Sequence, residues 1–259
     1  MKIVVLVKHV PEPTAGRYFA GDRTLDREHT EGGLSELDEY AVEQAVRLTE
    51  AGVATEVGYL TMGPARAVDA LRRALAMGGT GATHLLDDRL HGTDAVGTSL
   101  VLAAALRRIG FDLVLCGMAS TDAEMSVVPV MVAERLAVPA VTNVVALSAD
   151  GSAVTARRDT GDATEEVTAP LPALVTVTDR AGEARLPSFK GIVAAKKRPI
   201  TTWSLADLGI EPERVGAAAA GTLVRAIKPR PPREAGTVVT DEGDAAARLA
   251  DFLVANKLL

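Results

Sequence analysis

Three short stretches carry residues that could do chemistry, and each sits where an apolar run gives way to a turn. "GMASTDAEMS" (117–126) crowds Ser120, Thr121, Asp122 and Ser126 behind Gly117, just ahead of a run with helical spacing. Hydroxyls and free N–H groups at a helix start can hold a phosphate or a ribose; the same residues also serve as plain helix caps. "TMGPA" (61–65) places Gly63 where the backbone can come close to a ligand, with a helix start behind it that favours an anion. "VKHVPEP" (7–13) sets His9 at the mouth of the first apolar run, within reach of a bound molecule.

Other chemistries are missing from the pattern. No GxGxxG follows the first apolar run, and no P-loop, GxSxG elbow or HExxH occurs. Nor is there a serine–glycine–glycine loop of the kind used by pyrophosphatase-type ATP enzymes. His29 and His91 read as loop residues and His84 as a structural residue inside a strand. Asp87–Asp88 and Glu165–Glu166 read as solvated faces, and Cys116 as a core thiol. No nucleophile and base can be assembled. The residues describe a nucleotide binder rather than an enzyme.

The elements that must position these turns alternate. "KIVVLVKHV", "TEVGYLTMG", "ATHLLDD", "DLVLCGM" and "PAVTNVVALSA" are apolar runs of the kind expected of strands covered on both faces. Between them lie "SELDEYAVEQAVRLTEAG", with Ser35 and Asp38 at capping-box spacing, "PARAVDALRRALAMGG", with Pro64 as a first helical residue, "TDAVGTSLVLAAALRRIG" and "AEMSVVPVMVAERLA". Strand–helix alternation with short joints predicts an α/β fold: a doubly wound, mostly parallel sheet, whose ligands gather beyond the carboxyl ends of the strands. "AVTARRD", "ATEEVTA" and "PALVTVTD" predict an antiparallel addition. "RLPSFKGIVAAKKRPI" (185–200) fits neither a strand nor the buried face of a helix and reads as a loop. The prolines of "KPRPPREAG" and a final amphipathic helix suggest an extended C-terminal arm. The expected division is 1–202, including a recognition loop at 184–198, and an arm at 203–259.

Composition bounds the rest. With 259 residues, 47% hydrophobic and 24% charged, the chain can bury a sizeable core, which must be aliphatic because aromatics are 3%. A net charge of −6 argues against a general nucleic-acid binder. A single cysteine excludes an internal disulfide and fits a reducing cytoplasm. No apolar run is long enough to cross a bilayer, and "MKIVVLVKHV" reads as a first strand rather than a signal peptide.

Several of these stretches, in order, resemble the beta subunit of electron transfer flavoproteins: "VVLVKHVPEP", "LSELDEYAVEQAVRL", "TMGPARAVDALRRALAMGGTGATHL", "DLVLCGMASTDAEMSVVPVMVAERL" and "LPALVTVTDRAGEARLPSFKGIVAAKKRPI". The resemblance covers about 1–200. It implies the open-sheet fold shared with adenine-nucleotide hydrolases and flavodoxins. It also implies a heterodimer with an alpha subunit that holds most of the FAD, and an AMP in this chain. Electrons would pass from acyl-CoA and related dehydrogenases to a membrane quinone oxidoreductase. The AMP contacts it implies fall at Leu6 and Lys8, at Ser35, Glu36, Leu37 and Asp38, at Met62 and Gly63, and along 113–128. Within the last stretch they are Gly117, Ser120, Thr121, Asp122, Met125, Ser126, Val127 and Val128. Family members commonly carry glutamine at Val127 and acids or glycines at Ala123, which this chain lacks. The resemblance further makes Leu186 an apolar anchor for partner dehydrogenases, with Pro187, Phe189, Lys190 and Ile192 around it. Lys196, Lys197 and Arg198 would add steering charge. Two other readings stay open: a bifurcating relative with a second FAD in place of AMP and NADH as donor, and an adenine-nucleotide-binding protein similar to universal stress proteins.

Overall fold

The alternating runs are realised as a nine-stranded sheet with helices on both faces. The computed structural model describes residues 1–14, 16–228, 230–232, 236 and 238–259. In chain order the elements are β1 (Lys2–Leu6), β2 (His9–Pro11), β3 (Gly32–Leu34), α1 (Glu36–Glu50), β4 (Glu56–Met62), α2 (Val68–Met77), β5 (Gly81–Leu85), α3 (Ala95–Ile109) and β6 (Leu113–Gly117). There follow α4 (Val128–Leu136), β7 (Ala140–Ala149), β8 (Ala153–Asp159), β9 (Thr164–Pro170), β10 (Ala173–Val177), α5 (Phe189–Lys197), β11 (Ile200–Trp203), α6 (Gly216–Ala219) and α7 (Ala245–Ala255). The sheet order is β11-β5-β4-β1-β6-β10-β7-β8-β9, while β2 and β3 form a separate antiparallel pair.

All strands from β11 to β7 run parallel, and β8 pairs antiparallel with β7 on one side and β9 on the other. Alternate residues of β1 serve opposite faces. Ile3 and Val5 pack in a cluster with Ala41, Val42 and Ala45 of α1 and Leu71 of α2. Val4 and Leu6 pack with Val101 and Leu106 of α3 and Val132 of α4. Burial on both faces explains why the strand reads as an unbroken apolar run.

Strand order reverses at β1. The chain steps from β1 to β4 and then β5 on one side before returning to place β6 on the other. A crevice therefore opens between the carboxyl ends of β1 and β6, where adjacent crossovers leave in opposite directions.

Three expectations change. "PALVTVTD" is not part of the antiparallel addition: β10 lies parallel between β6 and β7, with all five residues buried, and the antiparallel hairpin β8–β9 is an excursion from the sheet edge. The segment 185–200 is not a loop throughout, because α5 starts at Phe189, where Ser188 Oγ accepts the Gly191 N–H at 3.0 Å. Its apolar spacing hid the helix because only Ala195 of α5 is fully buried. Pro64, expected as a first helical residue, instead precedes a short 3-10 turn at Ala65–Ala67, and α2 begins at Val68.

The compact unit also runs past residue 202, to Val224. β11 pairs with β5, and Leu205, Ile210 and Val215 are buried against the α3–α4 side of the sheet. Arg225–Leu259 is a second unit. Within it α7 is preceded by Asp241, whose Oδ1 accepts the N–H groups of Gly243 (2.8 Å) and Ala245 (3.2 Å). The proline-rich stretch 228–236 lies partly outside the described residues.

Candidate functional site

The crevice is closed at its base by one carboxylate. Asp38, in the first turn of α1, is buried. Its Oδ2 accepts the Lys8 N–H at 2.8 Å and its Oδ1 the Gly117 N–H at 3.1 Å, tying the exit of β1 to the end of β6. The sequence spacing suggested a capping box, and the structure corrects that. The Ser35 N–H is already taken by the Lys8 carbonyl at 2.9 Å, and Ser35 makes no side-chain cap bond, so Asp38 reaches across the crevice instead. Gly117 is required by this pinch: a Cβ there would lie 2.7 Å from the Leu37 carbonyl carbon and oxygen.

Burial pushes the Asp38 carboxyl up to about 7, against the two backbone N–H donors and the Lys8 charge, which favour the anion. The folded chain keeps this proton up to about 7 while an unfolded chain releases it near ~4. More protons are thus bound in the folded state between those values, so stability falls as pH rises through that window, by up to about 1.4 kcal/mol per unit. Across it, urea midpoints of the wild-type chain should decline relative to those of Asp38→Asn.

A second carboxylate sits above the first. The Asp122 side chain is only 2% exposed. Its Oδ1 lies 2.8 Å from Lys8 Nζ, and its Oδ2 is paired with Arg27. Lys8 Nζ also donates to Ser120 Oγ at 3.2 Å. Burial alone would raise the Asp122 pKa, but Lys8 and Arg27 hold it well below the usual carboxylate range. Burial pulls the Lys8 ammonium below its ordinary value despite Asp122. The turn that carries Asp122 is tightly wound: Glu124 (φ 52°) and Ser126 (φ 56°) are left-handed, and Glu124 N–H donates to the Ser120 carbonyl at 2.9 Å. α4 then starts at Val128 with no side-chain cap and with Pro129 in its first turn, so its leading N–H groups have no side-chain acceptor.

Buried polar atoms without partners cluster in the same segments: Ser35 Oγ before α1, Thr61 Oγ1 at the end of β4, and both ring nitrogens of His9. His9 is enclosed by the β2–β3 pair, and burial lowers its pKa. His84 is satisfied, its Nε2 lying 3.0 Å from the Gly63 carbonyl. Cys116 is buried, and its thiol pKa is raised by burial, which leaves it unreactive. Among the described residues no group of His, Cys, Asp and Glu is placed to hold a metal, and no helix is long and apolar enough to cross a membrane.

The structure thus brings Lys8, Leu37, Asp38, Gly117, Ser120 and Asp122 into direct contact or one hydrogen-bonded set. Met62 ends β4, next to β1, with Gly63 just after it, and Leu6 is buried, so that it offers only backbone. Glu36 flanks Leu37 on the surface, Thr121 accepts from Arg17 through its carbonyl at 3.0 Å, and Met125, Ser126 and Val127 are exposed along the turn leading to Val128. Arg27 was not legible beforehand. It lies inside the long loop between β2 and β3, where no spacing marks one arginine from another.

Leu186, Pro187, Phe189, Lys190 and Ile192 are elsewhere, beside the C-terminal half of α2. Leu186 and Phe189 are 82% and 84% exposed.

A doubly wound, mostly parallel sheet with a polar cluster at its switch point defines an α/β protein of the open-sheet class. Residues 22–208 match the electron transfer flavoprotein domain. The chain is 43% identical over 263 residues to the electron transfer flavoprotein subunit beta of Mycobacterium leprae (strain TN), covering 99% of each chain. It is 30% identical over 270 residues to the subunit beta of Megasphaera elsdenii, covering 100% of each. It is also 33% identical over 256 residues to the caffeyl-CoA reductase-Etf complex subunit CarD of Acetobacterium woodii, covering 98% of this chain and 97% of that one. The chain belongs to the electron transfer flavoprotein family, on its beta-subunit side. Its role is that of a subunit in a flavoprotein electron carrier.

Proposed function

We propose that this chain binds AMP in the β1–β6 crevice, completes an FAD site held mainly by an alpha subunit, and docks acyl-CoA and related dehydrogenases through 184–198. On this reading the heterodimer works in the cytoplasm and delivers electrons to a membrane quinone oxidoreductase. The observation that carries the AMP assignment is the crevice itself. Buried hydroxyls without partners (Ser35, Thr61), an uncapped α4 start and the Gly117 close approach all fall where the sheet's strands end at the switch point. These groups suit a ribose and a phosphate. The site lacks the glutamine common in relatives at Val127, so backbone N–H groups rather than side chains would face the phosphate there.

The chain's own part is anchoring. Asp38 fixes the spacing of the β1 and β6 exits, and Lys8, Ser120 and Asp122 set the rim. FAD, when bound at the subunit interface, supplies the one- and two-electron chemistry. The tail, expected from 203 and separate as a unit from Arg225, would pack on the alpha subunit, and the exposed Leu249, Phe252 and Val254 of α7 support that role.

The test is nucleotide content. Co-expression with the alpha subunit, purification, denaturation and chromatography should release one FAD and one AMP per dimer. The similarity to CarD of a caffeyl-CoA reductase-Etf complex favours a second reading, a bifurcating subunit with a second FAD and NADH as donor. Two FAD and no AMP would establish that reading and overturn the first.

A further inference from the structure

We propose that Arg185 and Arg72 are positioning residues, which preset the docking element so that Leu186 and Phe189 stand ready before a partner arrives. The proposal rests on the reading of 184–198 as the docking segment.

Arg185 turns its side chain inward from the residue just before Leu186. Its Nε lies 2.7 Å from Glu43 Oε2 and its Nη2 3.1 Å from Glu43 Oε1. Nη1 lies 2.6 Å from Glu50 Oε1 and Nη2 2.9 Å from Glu50 Oε2, while its backbone N–H donates to Glu43 Oε2 at 3.2 Å. One planar guanidinium thus spans two carboxylates of α1 in paired contacts, a geometry lysine cannot reproduce. Glu43 is buried and is itself fixed by Arg47 Nε at 2.7 Å, so the clamp is seated on a rigid base.

The far end of the segment is held by a second arginine. Arg72 of α2 donates through Nη1 to the carbonyls of Ala195 (2.6 Å) and Arg198 (2.9 Å), closing the last turn of α5. Between the two clamps the first turn of α5 rests on the end of α2: a Cβ on Gly191 would lie 2.3 Å from the Ala76 carbonyl oxygen. The positive end of α5 therefore meets the negative end of α2.

Packing holds the helix at Ala195, which joins the core, but at the Leu186 end a cavity of about 280 Å³ lined by Leu75, Met77, Gly79 and Ser188 among others leaves the segment loosely packed, and there Arg185 fixes its geometry. Leu186 and Phe189 remain exposed because their neighbours are tied down from within. A segment ordered in advance loses less entropy on docking, which tightens association without any new contact.

The experiment uses the heterodimer with its alpha subunit, titrated as electron acceptor against an acyl-CoA dehydrogenase reduced by its acyl-CoA. Arg185→Ala should raise KM for the heterodimer about tenfold with kcat and FAD content unchanged, as expected when only binding is lost. Arg72→Ala should move KM in the same direction. The readout that a merely structural arginine would not give is coupling: Arg185→Ala added to Leu186→Ala should raise KM by less than the product of the two single effects. An unchanged KM in Arg185→Ala, or fully additive effects in the double variant, overturns the inference and leaves the docking reading intact. Unchanged KM in both Leu186→Ala and Phe189→Ala overturns the docking reading itself. If Arg185→Ala does not assemble, Glu50→Gln, at an exposed carboxylate, decides in its place: a raised KM supports the clamp and an unchanged one overturns it.

Discussion

Replacing Gly117 by valine is expected to destabilise the chain by about 3 kcal/mol, at the upper end for overpacking a closed site, and, on the proposed reading of the crevice, to strip AMP from the heterodimer. The added Cβ would meet the Leu37 carbonyl at 2.7 Å and Asp38 Oδ1 at 2.8 Å. The first is backbone of a helix start and the second a carboxylate held by two backbone N–H groups, so relief requires α1 to move away from β6. That movement breaks the Asp38 bond to the Gly117 N–H and loosens the one to the Lys8 N–H, because both run through the same carboxylate. The two losses should appear together. Urea unfolding of the isolated chain gives the first, and nucleotide release from the purified heterodimer gives the second. Normal AMP content with a lowered midpoint would place the nucleotide away from this pinch.

Asp122→Ala should cost about 2 to 3 kcal/mol, because it leaves two cations facing each other without their shared anion. Lys8 and Arg27 are only partly exposed, and both now direct their charge at a side chain that is almost wholly buried. The loss should shrink at high salt, where repulsion between the two cations is screened. Denaturation midpoints at low and high salt check both parts. A midpoint that does not move at either salt would mean that Lys8 and Arg27 find other acceptors.

The parallel core was legible because it is repetitive. Each strand from β1 to β7 that is covered on both faces is an apolar run, and each helix between them shows one apolar stripe. β10 was misplaced because short extended runs near a hairpin look alike, and only its burial on both faces distinguishes it. α5 was missed for the opposite reason: it is exposed along most of its length, so the periodicity that marks buried helices is absent, and its start is set by Ser188 and by a close approach to α2 that no local pattern encodes.

At the crevice, the glycine and the hydroxyl-rich turn stood out in sequence, since tight turns demand those residue types. The partners of Asp38 did not. Its spacing from Ser35 is that of a local cap, and the choice between that cap and two strand N–H groups is made by the Lys8 carbonyl, which claims the Ser35 N–H first. Arg27 and the Arg185–Glu43–Glu50 clamp join residues 95 to 142 positions apart. Contacts of that separation are set by topology and leave no trace in spacing.

The two borders of the sheet have a consequence for the chain before it meets a partner. One border is β9, whose exposed residues include Thr164 and Glu166 and which ends in Pro170; the other is β11, only four residues long. Short strands, acidic side chains and a proline are poor templates for a neighbouring strand. Neither border therefore invites a copy of the chain to add a strand.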